Sequence, residues 1–411
     1  MNYKQALEEL YAIKEWKFKL GLKNMRILLK KLGNPEKKLK CIHVTGTNGK
    51  GSVCAMISSV LMDAGYKVGM YTSPHLKKFN ERIRINNKLI SDKDATEYYL
   101  RVKKYVVNQS FFEITTAMAF LYFYEKKVDF AVLEVGMGGR LDSTNVITPL
   151  ISIITNIGYE HTNRLGKTLG KIAHEKSGII KNNIPVVTGT TGVALQTIKR
   201  IANKKNSELY AINNKKIIKK RFDKKGNIWH FDFDNYGDLT LDNLKGEFQI
   251  KNAIIAIKTL EILNNNNKIE INNKNIRNGL KKAEWAGRFQ FLGKNILIDC
   301  AHNPHGFNTL FKELRYIHYN KLILVAGFSK GKDVGKISRI IKANKKIKKI
   351  ILTEADNERA MPIREAAGYF NKKAVIKNNS KNALEYAEKI AKKNDLVLVC
   401  GSIYMVGELI K

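Results

Sequence analysis

The sequence predicts an α/β protein of two domains, and three observations carry that prediction. Apolar, strand-like runs alternate with helix-like segments from Cys41 almost to the end, the pattern of parallel sheets flanked by helices. A glycine-rich octapeptide, Thr45-Gly46-Thr47-Asn48-Gly49-Lys50-Gly51-Ser52, stands at the first strand-to-helix junction. The chain of 411 residues also exceeds the size at which a single hydrophobic core stops growing.

The elements follow in order. The first strand reads CIHVT (41–45), then come the glycine-rich turn, a helix near 49–64 and a strand near 67–72. A helix near 113–127 feeds the apolar strand DFAVLEV (129–135), and LISIIT (150–155) follows. The stretch 208–242 holds short alternating segments, KIIKKRF and NIWHFDF, that read as a small hairpin insert. After a helix near 249–263, a second βα series opens at NILIDC (295–300), with strands near 321–326, 348–353, 373–377 and 395–400. The boundary falls near 285–294, so the domains are assigned as 1–287 and 288–411.

Apolar residues at 44% and charged ones at 27% give a globular composition rather than a disordered one. No apolar run approaches the roughly 18 residues that span a bilayer, and the start MNYKQALEEL lacks a signal peptide's basic-then-apolar order. A cytoplasmic protein with no membrane partner is expected. Cys41, Cys54, Cys300 and Cys400 have no C-x-x-C spacing and read as reduced, mostly core-facing thiols. A formal charge of +36 would ordinarily suggest nucleic acid. Here lysine rises together with asparagine and isoleucine, as in NNNNKIEINNKN, which is compositional drift. No helix-turn-helix, zinc-finger or RRM signature accompanies it, nor the aromatic interleaving of a single-strand binder. No nucleic-acid partner is expected, and a monomer is.

The octapeptide is a phosphate-binding loop in the context such a loop requires. Its glycines let backbone N–H groups of Thr47, Asn48, Gly49 and Gly51 converge on phosphate, and the helix N-terminus favours an anion. Lys50 adds a point charge, and the Ser52 hydroxyl can reach a magnesium ion. The spacing departs from the general pattern, because Val44 occupies the first glycine position and Gly51 stands between Lys50 and Ser52.

The segment LGNPEKKLKCIHVTGTNGKGS resembles the start of the folylpolyglutamate synthase/dihydrofolate synthase family, a branch of the ATP-dependent Mur ligases. Similar blocks follow in the family's order: TSPHLKKFNERIRI, FFEITTAMAF, LEVGMGGRLDSTNV, ITNIGYEHTNRLGKTLGKIAHEKSGIIK, FQIKNA, EWAGRFQ, LIDCAHNPHG and CGSIYMVGELI. The resemblance implies an N-terminal P-loop ATPase domain with a parallel sheet and a smaller C-terminal Rossmann-like α/β domain. It implies ATP as co-substrate, Mg2+ as cofactor, and L-glutamate with dihydropteroate or a folate as substrates. In that chemistry a carboxylate takes the γ-phosphoryl group of ATP, and the resulting acyl phosphate is attacked by an amine.

By motif position, the resemblance gives Ser73, Glu134 and His161 as metal-site residues beside Ser52. Lys176, in HEKSGI, matches a lysine that the family carries as a carbamate. Asn252 is implied at the adenine, Arg288 at the phosphates and Asp299 at the ribose, although Asp299 reads equally as a helix cap. His302 and Ser402 are expected to face the glutamate or the phosphates, with Lys50, Lys176 and His302 as the catalytic set. Phe112 and Glu113 resemble a pterin wall and acceptor, while the same run also reads as an amphipathic helix with core aromatics. Asp142, Thr144 and Asn145 are expected on the same side. The remaining histidines are read as structural or solvated. The chain departs from the family's usual pattern in three places: Tyr159-Glu160 replaces Leu-Asp before His161, Ala286 replaces Pro, and Cys300 replaces Gly.

The first choice is a bifunctional dihydrofolate synthase and folylpolyglutamate synthase. Alternatives are a folylpolyglutamate synthase only, a Mur-type cell-wall ligase, and a basic nucleic-acid-binding P-loop ATPase. The cell-wall reading expects a preceding UDP-binding domain and no SPHLKKFNERI block, and the nucleic-acid reading lacks an arginine finger.

Overall fold

The computed structural model describes residues 1–13, 21–212, 217–370 and 374–410. Two sheets organise the chain. The first has eight strands in the order Lys88–Leu89, Ile83–Ile85, Val68–Tyr71, Phe130–Glu134, Cys41–Thr45, Ile151–Ile154, Val186–Thr188 and Leu209–Ala211. Six of these run parallel, and the two edge strands at 83–89 are antiparallel, so the sheet is mixed rather than wholly parallel. Central strands are buried on both faces and are mostly apolar, with His43, Thr45, Glu134 and Ser152 the buried polar exceptions, whereas the short edge strand Lys88–Leu89 is exposed.

Helices cover both faces. Lys50–Asp63 and Phe248–Asn265 are apolar on nearly every side and sandwich one face. The helices Phe111–Glu125, Asp92–Lys103, Tyr3–Tyr11 and Lys23–Lys31 share the other. Helix Phe111–Glu125 opens two residues earlier than its pattern indicated, because Ser110 and Glu113 form a reciprocal cap at its start. The expected hairpin insert is a three-stranded antiparallel sheet, Ile217–Asp223, Ile228–Phe233 and Tyr236–Thr240. Leu209–Ala211 belongs instead to the edge of the large sheet, and residues 213–216 lie outside the described residues.

The second sheet has six strands in the order Gln290–Phe291, Ile296–Asp299, Leu396–Cys400, Leu322–Ala326, Ile347–Leu352 and Ala374–Ile376, parallel except for the first pair. The expected strand at 373–377 is the last of these, with residue 373 outside the described residues. Helices Pro304–Glu313 and Val334–Ala343 pack on one face, Ser380–Ile390 and Ile403–Leu409 on the other. Among the described residues no helix is long and apolar enough to cross a membrane, and all four cysteines are unpaired and buried.

Candidate active site

The carboxyl ends of strands from both sheets meet at one crevice, where α/β sheets place ligands. Asn48, just after strand Cys41–Thr45, bonds across it: its side chain lies 2.9 Å from His305 Nδ1 and accepts from Asn303 Nδ2 at 3.1 Å. Behind the phosphate loop, the segment after strand Ile151–Ile154 holds nearly every group. Thr47 N–H donates to Asn156 O at 3.0 Å, Thr47 Oγ1 accepts from Gly158 N at 2.9 Å, and Asn48 O accepts from Thr155 Oγ1 at 2.7 Å.

Gly49 has φ +84°, and a Cβ there would stand 2.6 Å from Asn252 Oδ1, so the turn needs glycine on both counts. Asn252 thus sits against the phosphate loop itself, with its Nδ2 donating to Gln249 Oε1 at 2.7 Å and Gln249 Nε2 to Ser52 Oγ at 3.3 Å.

Lys50 Nζ lies 3.4 Å from Thr47 O and 3.9 Å from Glu134 Oε1. Glu134 ends its strand, and its Oε2 accepts from Ser73 N at 3.2 Å, so Lys50 and Ser73 both meet this carboxyl, while Ser52 stands two residues along the helix that Lys50 opens. Burial pushes the Glu134 carboxyl up, against the opposing pull of Lys50. A buried carboxylate that accepts one N–H, with Lys50 at 3.9 Å and the Arg288 and Arg82 charges weaker still, remains under-compensated, and a hard oxygen ligand of this kind fits a magnesium-like cation. Among the described residues no three His, Cys, Asp or Glu side chains form a metal cage by themselves.

Lys176, on helix Leu169–Ser177, is 2% exposed and donates from Nζ to Gly46 O at 2.7 Å. Burial, and then Lys50, lower its pKa from the usual 10.5 to about 7. An exposed helical lysine is therefore excluded, and its amine is neutral in a substantial fraction near pH 7.

Glu160 is the residue sequence reasoning passed over. Its Oε1 lies 3.5 Å from His302 Nε2, 3.7 Å from His161 Nε2 and 3.9 Å from Lys332 Nζ. Burial opposes its ionisation, yet His302, Lys50 and Lys176 hold the carboxyl well below the usual range. The only local signal was its place beside His161; His302 and Lys332 reach it from the second sheet's side of the crevice, and Lys50 and Lys176 from distant points of the first. His161 itself has φ +47° and a side chain 39% exposed. Partial burial, with Lys332, Lys50 and Lys176 outweighing Glu160, lowers it to about 4, so it is a neutral imidazole. His302 is turned by a 2.8 Å contact between Nδ1 and Cys300 O, and burial lowers it as well.

Asp299 is not a helix cap. The cap of Pro304–Glu313 is Asn303, whose Oδ1 accepts from Gly306 N at 2.7 Å. Asp299 instead accepts from Phe289 N at 2.8 Å and Ala301 N at 2.7 Å, pinning the linker beside Arg288, whose charge reaches Glu134 across the crevice. Ser402 is buried, 3.4 Å from Ser329 Oγ.

Phe112 is half-buried, tilted against Tyr71 at 5.9 Å, and it fills the space a Cβ on Gly136 would take, 2.6 Å from its Cζ. Glu113 gives Oε2 to the Ser110 cap, while its buried Oε1 has no partner. Asp142 and Thr144 are committed to their own loop, through Met137 N, Thr144 N and the Thr144 hydroxyl, which also meets buried His43 at 2.8 Å. Asn145 binds Arg140 O and Gly178 O, both at 3.0 Å. A second residue missed from sequence is Arg82, only 7% exposed. Its Nε donates to His75 Nδ1 at 2.8 Å and its guanidinium lies 5.1 Å from the Phe111 ring, with no carboxylate paired to it among the described residues.

Residues 44–260 match the Mur ligase middle domain family, and residues 287–403 match the family described as Mur ligase, glutamate ligase domain. A dihydrofolate synthase/folylpolyglutamate synthase of Bacillus subtilis is 36% identical over 100% of this chain and 98% of that protein. The chain belongs to the folylpolyglutamate synthase/dihydrofolate synthase family. Among solved structures, a folylpolyglutamate synthase of Thermotoga maritima is 38% identical with a TM-score of 0.82, covering 98% of this chain and 95% of that one. A bifunctional folylpolyglutamate synthase/dihydrofolate synthase of Yersinia pestis, complexed with AMPPNP and a manganese ion, is 27% identical with a TM-score of 0.86, covering 100% and 97%. As a member of the family, the chain is an ATP-dependent acid–amino-acid ligase of the Mur ligase superfamily.

Proposed function

We propose that this ligase adds L-glutamate both to dihydropteroate and to tetrahydrofolate, in the cytoplasm, with residues 1–287 as the P-loop domain and 288–411 as the glutamate-ligase domain. The observation that carries this reading is the convergence of Lys50, Lys176, Glu134 and Glu160 where the strand ends of two sheets meet. Four unpaired cysteines suit a reducing compartment. The relatives' substrates, their ATP analogue and their metal ion point the same way.

In this reading the phosphate loop holds the triphosphate, with Lys50 on its γ end, Asn252 toward the base, Asp299 toward the ribose and Arg288 at the phosphates. Mg2+ bound by Ser52, Ser73, Glu134 and His161 would neutralise phosphoryl oxygens. The substrate carboxylate forms a bond to the γ-phosphorus as the bond to ADP breaks. Glutamate's amine then forms the amide as the carbonyl–oxygen bond to phosphate breaks, releasing phosphate and a proton. His302, fixed through Nδ1, turns Nε2 to the crevice and takes that proton, with Ser402 beside it. Arg82 receives a substrate carboxylate, since its buried guanidinium has none paired to it among the described residues. Phe112 and the orphaned Glu113 Oε1 receive the pterin, on the loop that Asp142, Thr144 and Asn145 stiffen. Lys176 takes CO2 on its neutral amine, losing a proton to become a carbamate, whose anion would supply negative charge toward a bound Mg2+.

Glutamate-dependent ADP release with dihydropteroate, tetrahydrofolate, a UDP-muramyl peptide and DNA tests the assignment. The first two should stimulate and the last two should not. Phe112→Ala should cost dihydropteroate turnover about tenfold, and tetrahydrofolate turnover less, because the smaller acid depends more on local stacking to place its carboxylate. No response to dihydropteroate where tetrahydrofolate responds would reduce the protein to a folylpolyglutamate synthase only.

A further inference from the structure

The departure of this phosphate loop from the general pattern has a partner in the interdomain linker. Phosphate loops commonly carry Ser or Thr directly after the lysine, so a Cβ is tolerated at that position. Here the position is Gly51, in the first turn of helix Lys50–Asp63, where alanine or serine would be better helix formers. A Cβ on Gly51 would lie 2.5 Å from Nε1 and 2.8 Å from Cε2 of Trp285. The indole edge cannot swing aside cheaply, because the Arg84 guanidinium covers its ring at 4.9 Å and the side chain packs into the core beneath the phosphate-loop helix.

The linker is fastened differently on its two sides. Upstream, helix Asn273–Lys282 crosses the phosphate-loop helix so closely that a Cβ on Gly279 would lie 2.4 Å from Val60 Cα. Downstream, Gly287, with φ +71°, accepts at its carbonyl from Cys300 N at 2.9 Å, and Phe289 N donates to Asp299 Oδ2 at 2.8 Å. Trp285 therefore belongs mechanically to the phosphate loop, and Gly287 to Phe289 belong to the second sheet. Exposed Ala286 is the single residue between them.

We propose that Trp285 is a positioning residue that ties the interdomain pivot at Ala286 to the phosphate loop, and that Gly51 is glycine in order to seat its indole. Trp285 thereby fixes the near end of the pivot to the phosphate-loop helix, and Arg288, three residues further on and fastened to the second sheet, swings about that fixed point to meet the nucleotide. This inference rests on the reading that the loop and Arg288 bind ATP.

The test is a double-mutant cycle in the full chain with Gly51→Ala, Trp285→Ala and both together, measuring the KM for ATP and kcat of glutamate-dependent ADP release. Each single change should raise the ATP KM on the order of tenfold, since a displaced clamp misplaces Arg288. The double variant should be no worse than Trp285→Ala alone, because the added methyl then meets empty space. Trp285→Phe should recover part of the loss. An equal penalty for Gly51→Ala in both backgrounds would overturn the inference, since the nucleotide rather than Trp285 would then demand glycine. So would a Trp285→Ala protein with wild-type ATP KM, whatever its melting temperature. Lys50→Ala, run alongside, separates the two failures: retained turnover there sinks the phosphate-loop reading itself, whereas its loss together with an additive cycle sinks only the clamp.

Discussion

The two walls of the crevice are built differently. The N-terminal wall is braced from behind: Thr155 and Asn156 engage the backbone of the phosphate loop, Gly158 N donates to the Thr47 hydroxyl, and Lys176 reaches Gly46 O from a neighbouring helix. The C-terminal wall is held by a linker, by Asp299 gripping two backbone N–H groups, and by the Asn48, Asn303 and His305 contacts. The difference suits a ligase whose phosphoryl-handling groups must be pre-organised, while glutamate and nucleotide enter between parts that close on them.

That contrast predicts that losses are greatest on the braced wall. Lys50→Ala should lower ADP release by about a thousandfold, since a charge aimed at a transferring phosphoryl group is lost, with little change in Tm. Near-normal turnover would break the comparison at its firmest point.

Lys176→Ala should cost about a hundredfold, because the variant cannot form the proposed carbamate and so lacks a preorganised anion, and short-chain carboxylates should restore part of the activity. The pH dependence has a definite sign. Below about 7 the amine is protonated and cannot take CO2, and above it the neutral form grows. Enzyme stripped of bicarbonate at pH 6 should regain activity slowly on adding bicarbonate, and faster at pH 8. The folded pKa lies below the unfolded one, so the unfolded chain binds more protons between about 7 and 10.5, and this residue's contribution to stability rises with pH across that window. Bicarbonate-independent activity at both pH values would remove the carbamate.

The smallest effect belongs to the other wall. Asn303→Ala removes a helix cap and a bond to Asn48 together, which should lower stability by about 1 kcal/mol in urea unfolding and raise the KM for ATP a few-fold. A loss as large as that of Lys50→Ala would show the second wall to be as critical as the first.

Much of this was legible from sequence because it is local. The phosphate loop is a contiguous run of backbone conformations set by its own glycines, strand CIHVT is apolar because it is buried on both faces, and Glu134 is a polar residue ending an apolar strand. The hairpin insert formed where KIIKKRF and NIWHFDF indicated, with a third strand added, but Leu209–Ala211 at the start of that stretch joined the large sheet, since alternation marks a strand without saying which sheet it joins. The Asp299 cap reading gave way because Asn303, nearer the helix, caps it.

The sequence by itself determined the α/β class, the phosphate loop and the order of the family's blocks, since periodicity, glycine and a strand-to-helix junction are encoded by near neighbours. Tertiary structure alone decided the rest. It drew Glu160 between His302, His161 and Lys332, buried Arg82 with no carboxylate paired to it among the described residues, and set Trp285 on Gly51. It also brought the Lys176 amine down to about 7. Burial and the charges of residues distant in the chain produce these effects, and neither is written in any local pattern.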